Sequence, residues 1–128
     1  MRGIEFRGKI VGAEGFVYGK LLAPLASGNA YIAYDVNEVR SFVYISRSEK
    51  VDPETVGQYT GLKDKYGKKI FEGDICWEEH NECYGVVKFE DAKFLYLWEN
   101  IAEDLWEVAD SIEIYGNIHE NPELLEEK

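Results

Sequence analysis

Three groups of residues in this chain could do chemistry. Cys76, His80 and Cys83 lie close together around Trp77-Glu78-Glu79 and Asn81-Glu82, and two thiolates, an imidazole and a neighbouring carboxylate make a tetrahedral ligand set for zinc. Structural zinc sites, however, usually use tighter cysteine pairs and a second pair elsewhere. Here no second pair exists, and His119 is the only other histidine. The spacing predicts a β-hairpin carrying one reduced thiol on each strand and no metal. Asp64 and Asp74 flank a polar loop and could form an acid–base pair, but both sit near glycines at predicted turns, where Asp commonly accepts hydrogen bonds from local amides. Neither a Gly-rich phosphate loop nor a Gly-x-Ser-x-Gly or His-Glu-x-x-His pattern occurs. No catalytic residue and no cofactor are expected.

The third group is Lys63, Lys65, Lys68 and Lys69 with Tyr66 among them, the only compact basic cluster in the chain. A hairpin loop of this kind could contact a phosphate backbone and stack a base. Charge argues the other way. The 128-residue chain has a formal net charge of −11, with +3 over residues 1–70 and −14 over residues 71–128. An acidic half repels phosphates, and four lysines are few for a backbone-driven binder. The same asymmetry permits a head-to-tail contact between copies. Three tryptophans and nine tyrosines supply aromatic anchors, with Trp98 and Trp106 as candidate contact residues.

The elements that must position these groups are mainly strands. Residues 4–10 alternate apolar and polar side chains, and Glu14-Gly15 turns the chain into a strand over 16–22. In that strand Gly19 marks a bulge or a close backbone approach. Pro24 and the Ala-Ser-Gly-Asn run at 26–29 predict a loop, and Asp35-Val36-Asn37-Glu38 a turn between strands at 31–34 and 41–46. Arg47-Ser48-Glu49-Lys50, with Asp52-Pro53 beyond it, is the best boundary between an N-terminal lobe, 1–50, and a C-terminal lobe, 51–128. Further strands are expected over 74–78, 84–89, 93–98 and 111–118. A short helix or turn is expected over 100–110, and a final short helix begins after Asn121-Pro122. The fold class is therefore mainly β: an N-terminal meander plus a small, partly open barrel of SH3-like pattern, with one or two short helices near the C-terminus, the two lobes standing apart or forming one unit.

The unbroken stretch from Gly57-Gln58-Tyr59-Thr60-Gly61-Leu62 through Asp64 and Tyr66-Gly67 to Ile70-Phe71-Glu72-Gly73-Asp74-Ile75 resembles the signature of the YopX family. Phe16-Val17-Tyr18-Gly19-Lys20-Leu21, Val51-Asp52-Pro53-Glu54-Thr55-Val56 and Gly116-Asn117-Ile118-His119-Glu120-Asn121-Pro122-Glu123-Leu124-Leu125 resemble further family blocks in the same order. The resemblance implies a small protein carried by temperate phages and prophages of Gram-positive bacteria, with no established biochemical activity.

With 45% hydrophobic residues the chain can bury a real core, and no apolar run approaches the roughly 20 residues that span a bilayer. The N-terminus lacks the apolar segment of a signal peptide, so a cytoplasmic location in the host cell is expected. The expected function is that of a non-catalytic phage accessory protein acting through protein contacts. It would pair with its own kind through β edges, with a host or phage protein as a possible partner. The alternative is a nucleic-acid-binding module built on the Lys63–Lys69 loop.

Overall fold

The computed structural model describes residues 4–23 and 25–126, so Pro24 lies outside the described residues. Eleven strands form among them: β1 (Phe6–Lys9), β2 (Phe16–Leu22), β3 (Ala30–Val39), β4 (Phe42–Val51), β5 (Gly57–Lys63), β6 (Lys69–Phe71), β7 (Asp74–Glu78), β8 (Cys83–Glu90), β9 (Lys93–Trp98), β10 (Ile101–Asp104) and β11 (Ile112–Asn117). One short helix, α1, covers Leu105–Val108. The protein is mainly β, as the alternation predicts, and it divides into two compact units after Gln58.

In the first unit the chain runs as an antiparallel meander in which β4 pairs with β3, β3 with β2 and β2 with β1. Strand β1 also holds the start of β5 through Phe6 opposite Gln58 and Arg7 opposite Gly57. Alternate apolar positions converge on a small core of Ala30, Ile32 and Val51, flanked by Phe6, Val17, Leu21 and Val56. Gly19 is the close approach its sequence position suggests, since a Cβ there would strike the Ala33 carbonyl. Val51, assigned by sequence to the second lobe, is 1% exposed in this core. The polar run Arg47–Lys50 is no break, because β4 continues through it. Beyond Val51 the chain is pinned by Asp52, which caps a tight turn at Pro53–Thr55, and by Thr55 Oγ1. That hydroxyl donates to the Asp52 carbonyl at 2.7 Å and accepts from the Lys9 amide at 2.8 Å.

The turn expected at Asp35-Val36-Asn37-Glu38 does not occur. Strands β3 and β4 each run ten residues, and the reversal comes later, at Arg40-Ser41. Polar side chains that suggested a turn are instead cross-strand partners: Asn37 Nδ2 donates to Ser46 Oγ at 2.8 Å, and Arg47 lies 3.9 Å from Asp35. The extra length is absorbed by bulges at Ala33/Asp35 and Asp35/Val36. The outer half of this hairpin is an arm whose apolar residues Val36, Val39, Phe42, Val43, Tyr44 and Ile45 are all exposed.

In the second unit the sheet order is β10-β9-β8-β7-β11, antiparallel throughout. The sheet stays open, and no closed barrel is found among the described residues. One face carries Cys76, Val87 and Tyr96. Ile112 of β11 extends that face, and over it pack Ile70 of the β5–β6 ribbon and Leu105 and Ala109 of the helical turn. Tyr96 is fixed by two demands. Its hydroxyl donates to the Cys76 carbonyl at 3.1 Å, and its ring fills the space that a side chain at residue 85 would need. Of the segment expected to be helix or turn, residues 101–104 are strand, registered on Leu95–Trp98 of β9, and only residues 105–108 are α-helical. Pairing with β9 overrides local preference there. The final short helix forms as a 3-10 turn at Pro122–Glu126, where the Asn-Pro pair predicts one. Among the described residues no helix is long and apolar enough to cross a membrane.

Gly85→Ala should therefore destabilise the protein by about 1–3 kcal/mol through overpacking. Tyr96→Phe, which removes the hydroxyl's hydrogen bond to the Cys76 carbonyl, should destabilise it by about 1 kcal/mol. Chemical denaturation reads both, and a wild-type midpoint for Gly85→Ala would show that the ring has somewhere else to go.

Candidate functional site

The basic loop is built on a buried carboxylate. Asp64 is 6% exposed. Its Oδ1 accepts from the amides of Tyr66 and Lys68, both at 2.9 Å, and its Oδ2 accepts from the amide of Ile114 at 3.0 Å. Burial alone would raise its pKa, but the amides of Ile114, Lys68 and Tyr66, helped by the Lys68 charge, hold it below the ordinary carboxylate value. The loop backbone is tied to β11 a second time, as the Lys65 amide donates to the Ile112 carbonyl at 3.0 Å. Asp74 plays a similar local part, with Oδ2 accepting from the Phe71 amide at 2.8 Å. Both carboxylates thus hold backbone in place.

This anchoring determines what the lysines present. Lys63 and Lys69 face each other across the β5–β6 ribbon. Lys65 folds back, with Nζ 3.8 Å from Glu79 Oε1 and 5.4 Å from the Tyr66 ring centroid. Lys69 lies 5.3 Å over the Tyr59 ring. Lys68 and Lys63 project at the tip beside Tyr66, which is 71% exposed. The basic cluster is therefore real but partly engaged with the protein's own acids and rings.

The cysteines lie on the expected hairpin, β7 to β8. Cys76 is fully buried in the second core, whereas Cys83 is half-buried opposite Glu78. Neither is in a disulfide. Glu78 closes the hairpin by accepting from the amides of His80 and Asn81, at 3.1 and 2.9 Å. Among the described residues no three His, Cys, Asp or Glu side chains gather as a metal-binding group.

Sequence reasoning missed a cleft of about 940 Å³ in the second unit, a size typical of ligand sites. Trp77, Tyr84, Val86 and Leu97 line it from the face of the sheet opposite Cys76, Val87 and Tyr96. Cys83, Trp98, Leu124 and Leu125 close it, and Glu82 and Glu99 are its acidic members. Trp77 stacks edge-on against Tyr84 with centroids 4.9 Å apart. Trp98 donates its indole N–H to Glu103 at 2.6 Å, which fixes the ring. Trp106 stands apart on α1, 68% exposed and outside the cleft lining. A signal for the cleft did exist: Ile75-Cys76-Trp77, Val86-Val87 and Leu95-Tyr96-Leu97 are apolar in both phases of the strand period, which marks a sheet with two apolar faces.

A family model described as YopX protein matches residues 5–126, nearly the whole chain. The chain belongs to the YopX family. A crystal structure of the protein EF1440 from Enterococcus faecalis is similar to this YopX-family chain, with a TM-score of 0.69 at 23% identity over 95% of this chain and 97% of that one. At that identity the likeness establishes a shared fold. No curated protein matches the chain.

The depressed pKa of Asp64 has a definite sign in acid. The unfolded carboxylate takes up a proton at higher pH than the folded one. Its stabilising contribution is thus complete above the ordinary carboxylate range and is lost as pH falls through the folded value. Asp64→Asn should cost about 2–4 kcal/mol at neutral pH and should flatten the loss of stability below about pH 4. Denaturation midpoints across pH 2–7 for both proteins check this, and parallel acid limbs would assign the titration to another group.

Proposed function

We propose that this protein is a non-catalytic phage accessory protein that works in the host cytoplasm through protein–protein contacts, the first of them with its own kind. The observation that carries this reading is the β3–β4 arm. Strand β4 is the outer edge of its sheet, and Phe42 and Val43 on it are 63% and 64% exposed. An edge strand leaves amides and carbonyls unpaired, and natural proteins usually shorten, charge or cover such edges. Here the edge is long and carries four consecutive apolar residues, Phe42-Val43-Tyr44-Ile45, at its outer end. Exposed apolar patches of this kind mark interaction surfaces. Support for a non-catalytic role comes from Asp64, both of whose carboxylate oxygens accept from backbone amides, and from Asp74, whose Oδ2 does the same.

The competing reading, nucleic-acid binding, draws on exposed Tyr66 with Lys63 and Lys68 at the loop tip. The engagement of Lys65 with Glu79 and the −14 balance of residues 71–128 weigh against it. Gel-shift titration with duplex DNA at physiological salt should give weak or no binding. Submicromolar affinity (on the order of specific binders), abolished by Lys63→Glu with Lys68→Glu, would replace the assembly reading.

Light scattering after size exclusion, at tens of micromolar (roughly the weak end of specific association), should show a mass well above the 14.7 kDa of one chain. Val43→Ser with Ile45→Ser should lower it. Added salt should slow association more than it dissociates the complex, because exposed ion pairs are worth only about 0–1 kcal/mol each. A wild type that stays monomeric under these conditions refutes self-association.

A further inference from the structure

The arm is apolar with a cation at its tip, the cleft is aromatic with two carboxylates in its lining, and they belong to different units of the chain. We propose that the cleft lined by Trp77, Tyr84 and Trp98 receives the tip of the β3–β4 arm of a second copy, with the partner's Arg40 seated between the aromatic rings and the carboxylates of Glu82 and Glu99. This rests on the self-association proposed above and names the surfaces that make it.

The arm supplies a projecting, apolar ligand. Its reversal is a two-residue turn at Arg40-Ser41, so Val39 and Phe42 face each other at the very end and Arg40 points the only charge of the turn outward. Val36, Val39, Phe42, Val43, Tyr44 and Ile45 are between 44% and 64% exposed. Spread over both faces of the ribbon, these side chains can supply a substantial part of the roughly 800 Å² per partner that a stable interface buries.

The cleft supplies the receptor. Its lining contains Glu82 and Glu99 and no lysine or arginine. The field inside is negative enough to act on a neighbour: after burial, the charges of Glu99, Glu78 and Glu103 push the Cys83 thiol above its ordinary pKa. Glu78 and Glu103 are held by turn amides and by the Trp98 indole, which leaves Glu82 and Glu99, both exposed, to meet an incoming cation. Guanidinium suits such a site better than ammonium, since it stacks on aromatic faces while donating to carboxylates. Val39 and Phe42 of the tip would then bury against Val86, Leu97, Leu124 and Leu125. Arg, Trp and Tyr are also the residue types that dominate interface energetics.

Such a contact is heterologous: each copy gives an arm and receives one. It makes a prediction that symmetric arm-to-arm pairing does not. Two variants, Arg40→Ser with Phe42→Ser (arm) and Glu82→Lys with Glu99→Lys (rim), alter exposed residues and should keep wild-type circular dichroism. Each alone should run as a monomer, its self-association weakened about tenfold or more. Mixed one to one they should form a single species of twice the 14.7 kDa chain mass, the intact arm of one entering the intact cleft of the other. A rim variant that keeps the wild-type mass, or a mixture that stays monomeric, overturns arm-to-cleft docking while leaving self-association standing. A monomeric wild type overturns both. Alkylation of Cys83 gives a second reading that needs no rim substitution. It should slow about tenfold as wild-type protein assembles and stay fast in the arm variant, with buried Cys76 as the unreactive control. Equal Cys83 rates in the wild type and the arm variant would also overturn the docking.

Discussion

A single carboxylate joins residues 50 positions apart. Asp64 accepts hydrogen bonds from Tyr66 and Lys68 within its own loop and from Ile114 on β11. Two consequences follow from the chemistry of a buried anion. It must be fully satisfied to be tolerated, so the loop adopts the one conformation that turns its amides inward. It also converts a local turn into a long-range restraint, setting the β5–β6 ribbon over the sheet so that Ile70 and Leu62 reach the core around Tyr96. Asp74 does the same on a shorter scale, its Oδ2 accepting from the Phe71 amide three residues back.

Turns and strand phases were readable where one face of an element meets a core. The glycines of the signature stretch, the hairpin between Cys76 and Cys83, and the 3-10 turn after Asn121-Pro122 all follow from local backbone chemistry. The arm was not readable, because Asp35, Asn37 and Glu38 carry turn chemistry by type, yet here they face solvent on a two-stranded ribbon. Nothing buried selects between strand and turn there; cross-strand partners such as Ser46 and Arg47 do, and these lie too far along the chain to be matched by inspection. Ile101–Asp104 illustrates the same limit from the other side. Its helical spacing is genuine, but the open edge of β9 offers a full ladder of hydrogen bonds that a single helical turn cannot equal.

The candidate site was legible only in fragments. Trp98 was singled out as an aromatic anchor, and it does line the cleft. Tyr84, Leu124 and Leu125 carry no motif, and they enter the site only because the sheet is apolar on both faces and the C-terminal turn covers part of the outer one. The surface features of this fold are thus an arm, a cleft and an uneven charge distribution. Similarity to EF1440 is a likeness of fold.

The bulges at Ala33/Asp35 and Asp35/Val36 have a material consequence. Stacking into fibrils requires flat, in-register strands that can repeat without limit. A bulge bends its strand and steepens its twist, so the arm that exposes Phe42-Val43-Tyr44-Ile45 is coiled at its root. Copies laid edge to edge along such a strand would all have to share that bend, which opposes the flat, unlimited stacking of a fibril.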